Sequence, residues 1–205
     1  MKSISEFQKE VSKLIFNSTK SNRILFKIIS YEMSEDVEIE ETLLNDCLIK
    51  VYNLPDSKEE ETILSFNSKG KGFVDALFKG LLKEFDLFST LSDFIITNFK
   101  IVADTKKDKS STEGEAIAQL TVYNKINKKE FIFHSSKVFS INLAAIEVIV
   151  QALEFFVNSE QAVKMIYYAF KDAKRRHRTD LVESFTKQLV LLTGITTYTN
   201  VINKK

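Results

Sequence analysis

Gly70 and Gly72 flank a single lysine where a strand-like run, Thr62, Ile63, Leu64 and Phe66, gives way to a helical pattern. That pattern places Val74, Leu77, Phe78, Leu81 and Phe85 at three- and four-residue spacing. Two glycines allow positive φ or a close backbone approach. Such a turn leaves the first amides of the helix unpaired, and they can seat a carboxylate or phosphate. A plain strand-to-helix turn has the same geometry and, on a glycine pair alone, is the stronger expectation. Asp75 falls in the first helical turn, where a carboxylate also complements the helix dipole without any ligand. A second Ser-containing connection, Ser136 to Asn142, precedes another apolar helix. His134 is followed by Ser135 and Ser136, but no G-x-S-x-G elbow supports a nucleophile there, and a strand end is the expected role. His134 and His177 are the only two histidines and stand far apart in sequence, too few for the first shell of a metal-dependent enzyme. Cys47, the single cysteine, excludes an internal disulfide and reads as a small buried hydrophobe. No metal, no cofactor and no catalytic residue is expected.

The elements that must carry these residues come from composition and periodicity. The chain has 205 residues, enough for one sizeable core. Its formal net charge of +1 gives no bulk attraction to nucleic acid or to an acidic membrane, so neither is an expected partner. No apolar run approaches the roughly 20 residues of a membrane span, and the N-terminus lacks the apolar core of a signal peptide. The expected location is cytoplasmic.

Three blocks follow in order. Residues 1–44 read as a helical extension. Ile4, Phe7, Val11, Leu14 and Ile15 form one stripe with Ser3 or Ser5 as N-cap; Ile24, Leu25, Ile28, Ile29 and Met33 form a second; Ser34-Glu35-Asp36 opens a short acidic helix through Glu41. Residues 45–157 are β-rich. Strands are expected around Cys47–Tyr52, Ile63–Phe66, Phe94–Ala103, Ala116–Val122 and Phe131–Phe133, with a turn at Leu54-Pro55-Asp56-Ser57 and a polar loop from Asp104 to Gly114. Helices are expected from the glycine turn to Asp86 and from Ile141 to Val157. Residues 158–205 read as helical again. Ser159 would cap one helix, ending in the basic run Lys174 to Arg178, and Thr179 or Asp180 a second, stopped by Gly194. The order strand, turn, strand, Ser-containing connection, apolar helix occurs twice, about 68 residues apart by Ala76 against Ala144. The fold class is therefore α+β: a duplicated strand-strand-helix unit, its largely antiparallel sheet shared by both halves and covered by helices, with helical terminal extensions.

The runs GKGFVDALFKGLLKEF, LSDFIITNFKIVAD, EGEAIAQLTVYN and AAIEVIVQALEFF, in this order, resemble the C-terminal allosteric, dimerising domain of the 2-isopropylmalate synthase and citramalate synthase family. The resemblance covers roughly residues 46–157. It implies a duplicated domain that binds an end-product amino acid, leucine or isoleucine, near a dimer interface and regulates a catalytic barrel. Gly70, Gly72, Val74, Asp75 and Ala76 match the family pattern, whereas Phe73 replaces its proline. In the second motif Ser140 stands where an acid is expected, Leu143 replaces a common acidic position, and Ala145 replaces a serine. The barrel, with its paired histidines, is not in this sequence.

Two expectations result. The chain is a non-catalytic regulatory and dimerisation module of the leucine-biosynthesis type, taking a branched-chain amino acid or related acid and acting on a separate synthase chain. Alternatively it is a pure protein–protein interaction scaffold whose pocket has decayed. Either way a homodimer is expected. The ligand would lie between the two helix starts, at Gly70, Gly72, Phe73 and Asp75 on one side and Ser136, Phe139, Ser140, Ile141 and Asn142 on the other. Phe73, Phe139 and Ile141 would enclose its apolar side chain, and Asp75 would meet its amino group.

Overall fold

The computed structural model describes residues 4–20, 22–53, 61–85, 94–105 and 114–195. Helix α1 (Glu6–Ser18) is followed by strands β1 (Leu25–Asp36), β2 (Glu41–Tyr52) and β3 (Glu61–Gly70) and helix α2 (Phe73–Glu84). Strands β4 (Phe94–Thr105), β5 (Gly114–Asn124) and β6 (Lys129–His134) then lead to α3 (Ile141–Arg175) and α4 (Thr179–Leu192). The fold class is α+β, as expected, but the strands form two antiparallel three-stranded meanders, β1-β2-β3 and β4-β5-β6, rather than one shared sheet. The expected turn at Leu54 to Ser57 and most of the polar loop after Asp104 lie outside the described residues.

The duplication is real and larger than a strand pair: each copy is three strands and a helix. Phe73 and Ile141, which open α2 and α3, stand 68 positions apart, as do Glu61 and Lys129, which open β3 and β6. Phe26 and Phe94 repeat at the same interval, and both are buried. So do the bulges that follow Ile28 in β1 and Ile96 in β4. Ala76 and Ala144 sit at equivalent helix positions with no exposed surface, which lets each helix lie close on its own sheet.

Four expectations on local structure are corrected. Residues 25–36 are a strand, not a helix. Ile24 and Phe26 face the core, while Leu25, Ile29 and Met33 are exposed. Register shifts between Ile28 and Ser30 and between Ser30 and Glu32 break the two-residue alternation, so residues from two faces imitate a helical stripe. The acidic segment after it is the β1–β2 hairpin. Asp36 Oδ1 accepts from the amides of Glu38 (2.9 Å) and Ile39 (3.3 Å), and Glu40 takes φ 51°. An aspartate uses the same bond to cap a helix, so both structures share one sequence signal.

The third correction concerns α3, which runs unbroken through Val157 and Ser159. Ser159 is no cap; its hydroxyl donates to the Phe156 carbonyl at 2.7 Å inside the helix. At 35 residues α3 is long and apolar enough to cross a membrane by length and composition, contrary to the sequence reading, and half of its most apolar window is buried within the protein. Fourth, α4 starts without a side-chain cap, its N-cap being Arg178. Asp180 instead accepts both arms of the Arg178 guanidinium, at 3.1 and 2.8 Å. Gly194 follows α4 outside the left-handed region; a Cβ there would stand 2.6 Å from the Phe7 ring of α1, so close packing explains it.

One hydrophobic core joins both halves. It takes in Val11 and Ile15 of α1, Phe85 after α2, Leu120 of β5, Ile149 and Phe156 of α3 and Leu192 of α4. Phe94 stacks on Phe156 at 3.7 Å between ring centres, and Phe131 and Phe133 meet the same ring edge-on. The turn between α3 and α4 closes with His177 at φ 56° and the Arg178 amide on the Ala173 carbonyl, 3.0 Å.

Candidate functional site

The glycine turn is built as a turn. β3 continues to Gly70, further than its apolar residues suggested, and the chain breaks at Lys71 and Gly72. Gly72 is the N-cap of α2 with φ 81° and ψ 164°, a conformation only glycine adopts comfortably. No atom lies within 4 Å of where its Cβ would be, so its role is conformational. Gly70 is the close-approach glycine, since a Cβ there would stand 2.6 Å from the Ala76 nitrogen and from Asp75 Oδ2. Asp75 Oδ2 accepts from the Lys71 amide at 2.9 Å and from Lys79 Nζ at 2.6 Å. The Asp75 carboxylate thus ties the turn before Gly72 to the first turn of α2, where its charge complements the helix dipole. Phe73 packs its ring on Tyr31, 5.2 Å between centres.

The start of α3 is also closed by its own side chains. Ser140 Oγ accepts from the Leu143 amide at 3.3 Å, and the amide and hydroxyl of Ser136 donate to Glu147 Oε2 at 3.1 and 2.8 Å. Asn142 is half-buried. Phe139, Ile141 and Leu143 are 74 %, 54 % and 50 % exposed. The nine expected ligand residues therefore form two groups, one at each helix start, and none of the nine lines either of the clefts described below.

A cleft of about 590 Å³ lies elsewhere, between α1, the segment before β1, the end of β6 and the middle of α3. Its walls are Ile15, Phe16, Ile132, Phe133 and Phe155; its polar groups include Arg23, His134, Gln151 and Glu154. Two buried amides shape it. Gln8 Nε2 donates to the Ile132 carbonyl (2.7 Å) and Gln8 Oε1 accepts from the Ile132 amide (2.9 Å), so one side chain pairs with the outer edge of β6. Asn158 treats Ile24, beside β1, the same way, at 2.8 and 2.7 Å. One turn earlier, Glu154 Oε1 accepts from the Phe26 amide at 3.0 Å, and Oε2 stands 3.6 Å from the Arg23 guanidinium. Burial pushes the Glu154 carboxyl above its ordinary value, against the opposing pull of the Phe26 amide and the Arg23 charge. The Arg23 guanidinium also lies 5.9 Å over the Phe16 ring.

The sequence reading singled out none of Gln8, Arg23, Glu154 and Asn158. The available signal was a polar residue inside an apolar stripe: Gln8 falls on the Ile4, Val11, Ile15 face, and Glu154 and Asn158 are four apart within the apolar run of α3. His134 ends β6, as expected. Cys47 is fully buried, and burial pushes its thiol up to about 11. Among the described residues no three His, Cys, Asp or Glu side chains gather where a metal ion could be held.

Comparison with known protein families finds no match, and a search of curated proteins finds none either. The function must therefore be argued from the geometry.

Proposed function

We propose that the chain is a non-catalytic association module that pairs with a second copy of itself through the start of α3. The observation that carries this reading is a difference between the two repeats. Lys71, Phe73 and Asp75 in the first copy correspond, 68 positions on, to Phe139, Ile141 and Leu143 in the second. The first set is polar or folded inward: Asp75 is bonded to Lys71 and Lys79, and Phe73 rests on Tyr31. The second set is apolar and half or more exposed. Three large apolar side chains within five residues, on a backbone fixed by the Ser140 cap, have the character of an interface hot spot. Burying what they expose contributes roughly 1–2 kcal/mol each. A micromolar dimer needs about 8 kcal/mol, so they form the centre of a larger contact. A two-fold pairing would bring the same patch of each copy together. Sedimentation equilibrium at micromolar concentration should give a dimer, and Phe139→Ser with Leu143→Ser should give a folded monomer. A wild-type monomer, or a double variant that still dimerises, would sink the reading.

Ligand sensing is the second reading, and it has its own support. Arg23 and Glu154 are opposite charges 3.6 Å apart beside the apolar walls of the α1–β6–α3 cleft. Such a pair complements the carboxylate and ammonium of an amino acid with an apolar side chain. Leucine or isoleucine at 100 times its dissociation constant would add about 2.7 kcal/mol of stability. A thermal shift that is lost in Arg23→Met supports ligand sensing at this cleft. No shift with either amino acid leaves the scaffold alone.

A further inference from the structure

A groove of about 410 Å³ runs between α2 and the strand pair β2–β3, on a part of the protein used by neither reading above. It exists because α2 crosses β3 at very short range. A Cβ on Gly80 would run into the Phe66 ring and stand 2.8 Å from Ser68 Oγ, so no side chain fills the space at the crossing. Ser68 fastens the contact by donating its hydroxyl to the Ala76 carbonyl at 2.7 Å. Three lysines line the groove: Lys69 from β3, and Lys79 and Lys83 one helical turn apart on α2. Among the described residues no carboxylate lines it. Lys69 pairs outward with Glu41 at 3.2 Å and Lys79 with Asp75 at 2.6 Å, whereas Lys83 has no ion-pair partner among the described residues. Asn45 and Asn67 line the groove as well. Asn67 Oδ1 is engaged by the Asp46 amide at 2.8 Å, which leaves its NH₂ group as a donor.

Three ammonium groups and amide donors surround one unfilled groove, and among the described residues two carboxylates outside it pair with Lys69 and Lys79, which leaves the positive charge of Lys83 over. The geometry points to a binding site for a small molecule carrying a phosphomonoester. Its phosphate would sit among Lys69, Lys79 and Lys83, and its carbon skeleton against the exposed Leu43. A carboxylate offers two oxygens for this donor set; a phosphomonoester offers three and up to two charges, which matches it better. The volume falls within the range of about 300–1,000 Å³ typical of small-molecule sites.

Isothermal titration of the full chain with AMP, inorganic phosphate and adenosine tests this. AMP should bind, inorganic phosphate more weakly, and adenosine not at all, with affinity falling as salt rises. Lys83→Met and Lys69→Met should each weaken AMP at least tenfold, while Lys187→Met on α4 leaves it unchanged. Lys83→Met should also keep the wild-type melting temperature, which separates loss of binding from loss of fold. The proposal is overturned if adenosine binds as well as AMP or if neither AMP nor phosphate binds at millimolar concentration. It is equally overturned if Lys83→Met stays within twofold of wild type, or if only a long polyanion such as an oligonucleotide binds.

Discussion

Glu154 does three things with one carboxylate: it accepts the Phe26 amide, faces the Arg23 guanidinium, and gives up most of its hydration. Loss of hydration wins, because its pKa is raised despite both favourable partners. Folding therefore favours the protonated form. The stability this contributes is full below the unfolded carboxylate's pKa and is lost as pH rises through the higher folded value. Glu154→Gln keeps an acceptor for the Phe26 amide and removes the charge that burial disfavours. The variant should melt higher than wild type at pH 7, and the gap should close as pH falls into the carboxylate range. Melting curves of both proteins at pH 4 and 7 decide it. A variant that melts lower at pH 7 would mean that attraction to Arg23 outweighs the desolvation.

Edges are the weak point of two open three-stranded sheets, since β1 and β6 each present unpaired backbone groups. Gln8 and Asn158 each supply one donor and one acceptor to an edge, much as a neighbouring strand would. This makes α1 part of the second sheet's closure rather than an appendage. Gln8→Leu should strand the Ile132 amide and carbonyl. Each buried unpaired group costs about 1–3 kcal/mol, so a loss of roughly 2–6 kcal/mol is expected in urea unfolding. A change under about 0.5 kcal/mol would show that water replaces the amide there. The same contacts explain what the sequence did and did not reveal. Elements whose pattern depends only on their own residues were legible: α1, the strands of the second repeat, and the apolar face of α3. β1 was not, because bulges reset its alternation, and neither was the continuity of α3, because Asn158 and Ser159 look like a stop signal. Those polar residues sit inside a helix because Asn158 is where the strand of the other half docks. Gly70 and Gly72 were legible as a turn, but only packing shows that one glycine serves close approach and the other φ. The cleft around Gln8, Arg23, Glu154 and Asn158 was not legible, because its walls come from α1, the segment before β1, β6 and α3, which are far apart in sequence.

At the scale of the molecule, the two repeats are not two domains. The first repeat has a short helix of 12 residues, and the second has one of 35, so the second supplies surface that the first lacks. Ile24 and Phe26 at the start of the first sheet bond to Asn158 and Glu154 of the second repeat's helix. Phe85, at the end of α2, meets Phe26 edge-on at 4.8 Å, and both belong to the core that contains Phe156. Removing the second half would leave the first sheet with an open edge and an uncovered apolar face, and three strands with one short helix bury too little to offset the entropy of ordering them. Unfolding should therefore be a single transition despite the internal duplication. Urea titrations followed by far-ultraviolet circular dichroism, which reports mainly the helices, and by tyrosine fluorescence should give the same midpoint and slope. Tyr31 and Tyr52 lie in the first sheet, Tyr123 in the second and Tyr167 on α3, so the fluorescence samples both halves. Asn158→Ala is the sharper form of the experiment, because it removes the Ile24 link between the repeats and leaves the Glu154 bond to the Phe26 amide in place. If the repeats fold as one, it should shift both curves together to lower urea. Two separated midpoints, in the wild type or in this variant, would show instead that each repeat holds its own fold and that the long helix merely joins them.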